Sequence, residues 1–161
     1  MKAYFRNRLL ALGVLWGILL AAVPALVMAR GFGWFLAAAL VSAAFSGCVG
    51  TLATGQRLLV RLKKGAKLGG LASSLGTGLF QGLFGGGVAA LLFWGLMSVT
   101  ISGFSPLNPE GLSRLMSPQV FLGSFFVALS VFMYAVVGGV LLGPIFGPLI
   151  KRSAKVDEVG S

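Results

Sequence analysis

The sequence predicts an all-α integral membrane protein: a bundle of four transmembrane helices, both termini on the inner side, with a short outer interfacial helix between spans three and four. Three observations predict it. The 161 residues are 57% hydrophobic, with a mean hydropathy of +0.98. Only 10% are charged, thirteen Lys or Arg against three Asp or Glu, where a soluble domain carries about a quarter. Those charges cluster between four long uncharged runs. Such a chain lacks the polar residues to cover its own surface in water.

The elements follow in order. Lys2, Arg6 and Arg8 precede the first span, placed at 9–29, and Arg30 separates it from the second, at 33–55. A basic inner loop, 56–68, carries Arg57, Arg61, Lys63, Lys64 and Lys67. The third uncharged run covers 68–109, longer than one crossing needs, and its span is placed at 73–100. Glu110 and Arg114 lie in the outer loop 102–118, and the fourth span is placed at 119–146. About 20 apolar residues at 1.5 Å each cross the hydrocarbon core. Lipid offers the backbone no hydrogen-bond partners, so each span is helical. The alternating polarity of barrel strands is not found. The whole chain, 1–161, reads as one transmembrane domain.

Orientation comes from the loops. Eleven of the thirteen basic residues fall on one side, against Arg30 and Arg114 on the other. The positive-inside rule then places both termini in the cytoplasm of a multi-pass protein of the cell (inner) membrane. Val27-Met28-Ala29 after a basic start has the form of a secretory cleavage site, but the apolar run exceeds the usual 7–15 residues. The segment is read as a retained span.

Small residues recur every four positions in each span: Gly13, Gly17, Ala21, Ala25; Ser42, Ser46, Gly50, Thr54; Gly78, Gly82, Gly86, Ala90; and Ala135, Gly139, Gly143, Gly147. Four-residue spacing keeps them on one helix face, a glycine-zipper pattern that lets backbones approach in lipid. The spacing leaves open whether the partner helix belongs to this chain or to a neighbour. The run Gly85-Gly86-Gly87 weakens a helix. It reads as a packing groove first, then as a broken helix lining a permeation site, and last as a seat for a pigment or cofactor. Pro144 and Pro148 predict that the fourth span kinks or stops near 143, and Pro24 predicts a bend in the first.

Two segments face water. Arg57, Arg61 and Lys64 fall on one helical face, with Leu58, Leu59 and Leu62 off it. This amphipathic element fixes topology and offers a docking face, with Lys63 and Lys67, for anionic lipid or an acidic partner. Nucleic acid is not expected, because no aromatic residues interleave the basic run. Asn108-Pro109-Glu110 has helix-start chemistry, predicting a short helix over 109–116, and Ser117-Pro118 repeats the signal before the fourth span. Glu110 and Arg114 are spaced to pair.

The exclusions are broad. No Asp, Glu, Lys, Arg or His lies inside a predicted span, which argues against proton coupling and voltage sensing. Without histidine there is no bis-histidine haem site and no His-based dyad. Cys48 alone supplies neither a disulfide pair nor a metal cluster. No catalytic residue, metal or cofactor is therefore expected. Gln81 is the one intramembrane residue expected to have a specific role, because a buried amide must find a partner in a helix, a subunit or a ligand. The leading expectation is a non-catalytic subunit, assembly factor or scaffold of a larger membrane complex, docking other membrane subunits through its glycine-rich faces. The alternative is a small homo-oligomeric channel or facilitator for a neutral or anionic solute.

Overall fold

The computed structural model describes residues 3–28, 33–65, 70–103 and 110–159, with side-chain surroundings for 3–21, 37–65, 70–103, 110–111 and 113–153. Among the described residues the chain forms helices α1 (Ala3–Met28), α2 (Gly33–Lys63), α3 (Leu71–Ser102), α4 (Glu110–Leu115) and α5 (Pro118–Val159), and no strand. All but α4 are long and apolar enough to cross a membrane, which marks the chain as a membrane protein.

Local chemistry sets several boundaries. α3 ends where Gly103 turns left-handed (φ 64°) and its N–H donates to Thr100 O at 3.3 Å, a conformation glycine adopts without a Cβ penalty. α5 begins as its sequence signal predicts. Val120 N–H donates to Ser117 Oγ at 3.4 Å, and Pro118 occupies the first position, where its missing N–H costs nothing. The short helix α4 lies within the predicted 109–116, though Asn108 and Pro109 are outside the described residues. Glu110 and Arg114 are exposed, and among the described residues they form no ion pair, as two solvated side chains gain little from one.

Two expectations need correction. The basic segment after residue 56 is not a separate element, because α2 continues through it to Lys63. Nor does the fourth span stop near 143: α5 runs through Pro144 and Pro148 to Val159, 42 residues in all. That is roughly 60 Å, about twice the hydrocarbon thickness. The physical reason lies in which face the prolines occupy. Pro144 and Pro148 are exposed, whereas Gly143, Phe146, Gly147, Ile150 and Lys151 are buried. The packed stripe therefore continues past both prolines, and tertiary contact outweighs the lost backbone bonds. α3 likewise runs unbroken through Gly85-Gly86-Gly87.

The helices touch in a closed order: α1 on α2, α2 on α3, α3 on α5, and α5 back on α1 and α2. One end of the molecule gathers the start of α1, the end of α2, the start of α3 and the latter part of α5. This basic end has its own apolar core, in which Phe5, Leu9, Leu58 and Ile150 are buried together, with Leu12, Leu52, Leu59 and Leu62 packed around them.

Candidate functional site

The glycine ladders meet one another within the chain. Between α1 and α2, a Cβ added to Gly13 would lie 2.6 Å from Cys48 Cα, and one on Gly17 would run into the Ala43 carbonyl. Between α2 and α3, a Cβ on Gly50 would lie 3.1 Å from Gly85 Cα, and one on Gly85 3.2 Å from Ser46 O. The α3–α5 joint is the longest. There Gly78 faces Gly139 and Gly143, Gly82 faces Ala135 and Val136, and Gly86 faces Ala135. Gly139 opposes Gly82 (2.8 Å to its Cα), while Gly143 and Gly147 close on Ser74 at 2.9 Å (to O) and 3.1 Å (to Cα). Below 3.0 Å, as at Gly13, Gly17, Gly78 and Gly139, a real Cβ cannot sit without moving a backbone, and at 3.1–3.2 Å the neighbour must give by a few tenths of an ångström.

The run Gly85-Gly86-Gly87 thus has a packing role at two of its three positions. Gly85 serves the joint with α2 and Gly86 the joint with α5, because α3 lies between them. Gly87 has nothing within 4 Å of a built Cβ, and the same holds for Gly76, Gly95 and Gly123. Ser46 is buried and donates to Ala43 O at 3.0 Å, so its hydroxyl is absorbed by its own helix.

A few hydroxyls bridge helices. Buried Thr51 Oγ1 lies 2.9 Å from Leu9 O on α1 and 2.9 Å from Gly47 O on its own helix, so one proton is shared between the two carbonyls. Cys48 Sγ donates weakly to Leu10 O at 3.5 Å. On the other joint, Ser98 Oγ donates to Ser124 Oγ at 2.8 Å. Lys151 Nζ, on a side chain only 7% exposed, donates to Ser74 Oγ at 3.0 Å. Sequence reasoning missed Lys151, because it falls beyond the predicted end of the span. The continuity of the small-residue ladder through Gly147 was the signal that could have found it.

Gln81 is 1% exposed and lies on the α3 stripe between Thr77 and Gly85 that faces α2. Its Nε2 has no hydrogen-bond partner among the described residues, so the interhelical bond expected of it is not made by that atom. Near the level of Gly85, a lateral cavity of about 70 Å³ opens between the helices, lined by Trp16, Ser46, Phe93 and Tyr134 among smaller residues. Trp16 is 2% exposed, a mid-span position that its place in this junction explains. Trp94 packs edge-on against Phe121 and Phe125 of α5, with ring centroids 5.0 and 6.1 Å apart.

At the basic end, Arg57, Arg61, Lys63 and Lys64 are all exposed, and Lys67 lies outside the described residues. Leu58 is buried, so the predicted division of this segment into a charged face and an apolar face holds. The Arg57 guanidinium lies over the Phe80 ring of α3, 4.2 Å from its centroid, within cation–π range. Among the described residues, no cluster of His, Cys, Asp or Glu could hold a metal ion. Compared with known proteins, the chain matches no family model, no curated protein and no solved structure.

Proposed function

We propose that this is a non-catalytic multi-pass membrane protein that serves as a subunit, assembly factor or scaffold of a larger membrane complex. It sits in the cell membrane with both termini in the cytoplasm. One observation favours this reading over the channel: the helix joints are closed by backbone-to-backbone contact from Gly13 and Gly17 through Gly50 and Gly85 to Gly78 and Gly139. Such joints build a stiff body and leave little room between the helices for a hydrated path. The glycine faces, expected from the sequence to dock neighbouring subunits, are instead spent on contacts inside the bundle. Neighbouring subunits meet the protein on its outer apolar surface, where Leu91, Phe126 and Leu141 are more than 60% exposed. The basic end meets anionic lipid or an acidic soluble subunit.

Orientation rests on charge placement, with eleven basic residues inward and two outward. The test of the subunit reading is native mass spectrometry after gentle solubilisation at native abundance. A defined complex with other membrane proteins is expected, and a lone monomer would sink the reading. Solute flux through reconstituted homo-oligomers would instead favour the channel, with Gln81 as its polar lining.

A further inference from the structure

We propose that the cleft between the end of α2 and the start of α3 is a binding site for the phosphate of an anionic phospholipid headgroup, held by Arg57 and Arg61. The inference requires only that the chain is in a membrane. It does not depend on the subunit reading.

The cleft is shallow, about 20 Å³, and its walls include Arg57, Arg61, Thr54, Thr77, Gly76 and Phe80. Arg57 and Arg61 are one helical turn apart on α2, both exposed, and neither pairs with a carboxylate among the described residues. Like charges at this spacing destabilise a helix, so an anion seated between them removes a repulsion as well as adding an attraction. Arg57 is already held in the cleft, since its Cζ lies over the Phe80 ring, 4.2 Å from the centroid. A cation–π contact spends none of the guanidinium's N–H donors as hydrogen bonds to an acceptor atom, and its fork of donors matches two phosphate oxygens.

The other polar groups of the cleft are committed. Thr54 Oγ1 donates to Gly50 O and Thr77 Oγ1 to Ser73 O, each at 2.7 Å. Their protons are therefore spent, and the donors that remain for an anion are the two guanidiniums. The floor at Gly76 is open, because nothing lies within 4 Å of a built Cβ there.

Position selects a lipid over a soluble phosphate. Thr77 and Phe80 lie six and nine residues into α3, or roughly 9–14 Å along it. The cleft is thus set below the helix end, inside the segment Leu71–Ser102 that is long and apolar enough to cross a membrane. Directly beyond it α3 exposes Leu79, Leu83 and Phe84, each at least 40% accessible. These supply an apolar track for the acyl chains of a molecule whose phosphate sits on the arginines.

Full-length protein in nanodiscs of phosphatidylcholine with a minority of phosphatidylglycerol provides the test, with bound lipid read by native mass spectrometry. Wild type should retain phosphatidylglycerol in preference to phosphatidylcholine. Arg57→Gln with Arg61→Gln should lower that retention about tenfold, while Lys63→Gln with Lys64→Gln, an equal loss of charge, should change it less than about twofold. Gly76→Leu keeps every charge on an exposed, open helix position and should lower retention by filling the cleft. It decides the matter if the arginine pair fails to fold. Equal losses from both charge pairs, or full retention in the arginine pair or in Gly76→Leu, would overturn the site. Displacement of phosphatidylglycerol by millimolar inorganic phosphate would overturn the lipid assignment. Partners are read separately, from gently solubilised native membranes, so failure of the lipid site and failure of the subunit reading are distinguishable.

Discussion

At the residue scale, glycines that look alike in sequence differ in sign. Gly78 and Gly87 are both helical and both belong to the third ladder region, yet a Cβ on Gly78 would meet Gly143 Cα at 2.5 Å, and one on Gly87 would meet nothing. Gly78→Ala must therefore push α3 and α5 apart, and overpacking of this kind costs about 1–3 kcal/mol. Gly87→Ala adds no contact and removes the entropy penalty of a mid-helix glycine, a gain of about 0.5–1 kcal/mol. Unfolding of the purified protein in mixed micelles should place the two variants on opposite sides of wild type. A like effect from both would mean that the α3–α5 joint is not closed as described. The sequence made the packing glycines legible, since each ladder in turn faces another helix. The spacing sets Gly87 off the ladder, but it does not show that Gly85, equally off it, packs on α2, because one spacing rule describes one face of α3 only. Gln81 shows the same gap, for a buried amide is visible in sequence but its partner is a property of the neighbouring helix.

At the element scale, the number and type of helices were legible because charge and lipid are incompatible, so Arg30, the 57–67 cluster and Arg114 mark the ends of the crossings. The length of α5 was not. Proline carries a local rule, and the rule lost here to the buried stripe Gly143, Phe146, Gly147 and Ile150 on the far side of the helix. That extension places Lys151 against Ser74 at the α3–α5 joint. The pair should behave asymmetrically. Ser74→Ala leaves a nearly buried ammonium without the one hydrogen-bond acceptor it has among the described residues, at a cost of about 1.5–3 kcal/mol. Lys151→Met keeps the length and apolar packing of the side chain while removing the charge, and should be near neutral or stabilising. Thermal unfolding of the two single variants checks this. If Lys151→Met proves as damaging as Ser74→Ala, the ammonium has an additional anionic partner.

At the scale of the whole molecule, the distribution of charge and the lengths of the helices bear on the same question. α1, α2 and α5 all carry their basic residues beyond the apolar stretch, and those extensions share the buried core of Phe5, Leu9, Leu58 and Ile150. The basic end is thus a packed helical platform that continues the membrane bundle. Under the proposed orientation it faces the cytoplasmic side of the membrane, while α4 lies at the opposite face. Translocating that platform would carry Arg6, Arg8, Arg57, Arg61, Lys63, Lys64, Lys151 and Arg152 across the bilayer. A single Arg or Lys at the centre of a span already costs about 2.5–3.5 kcal/mol on insertion scales, so the reversed topology is strongly disfavoured. Single-cysteine variants in a Cys48→Ala background test the orientation, since the Cys48 thiol makes weak contacts with the α1 backbone at Leu10 and Val14. Lys64→Cys and Ser113→Cys both fall at exposed positions, at opposite ends of the bundle. In intact cells a membrane-impermeant maleimide should label Ser113→Cys and leave Lys64→Cys unlabelled until the membrane is opened. Labelling in the reverse order would place the basic platform outside. It would also move the Arg57–Arg61 cleft to the outer leaflet, where its phospholipid would have to be sought.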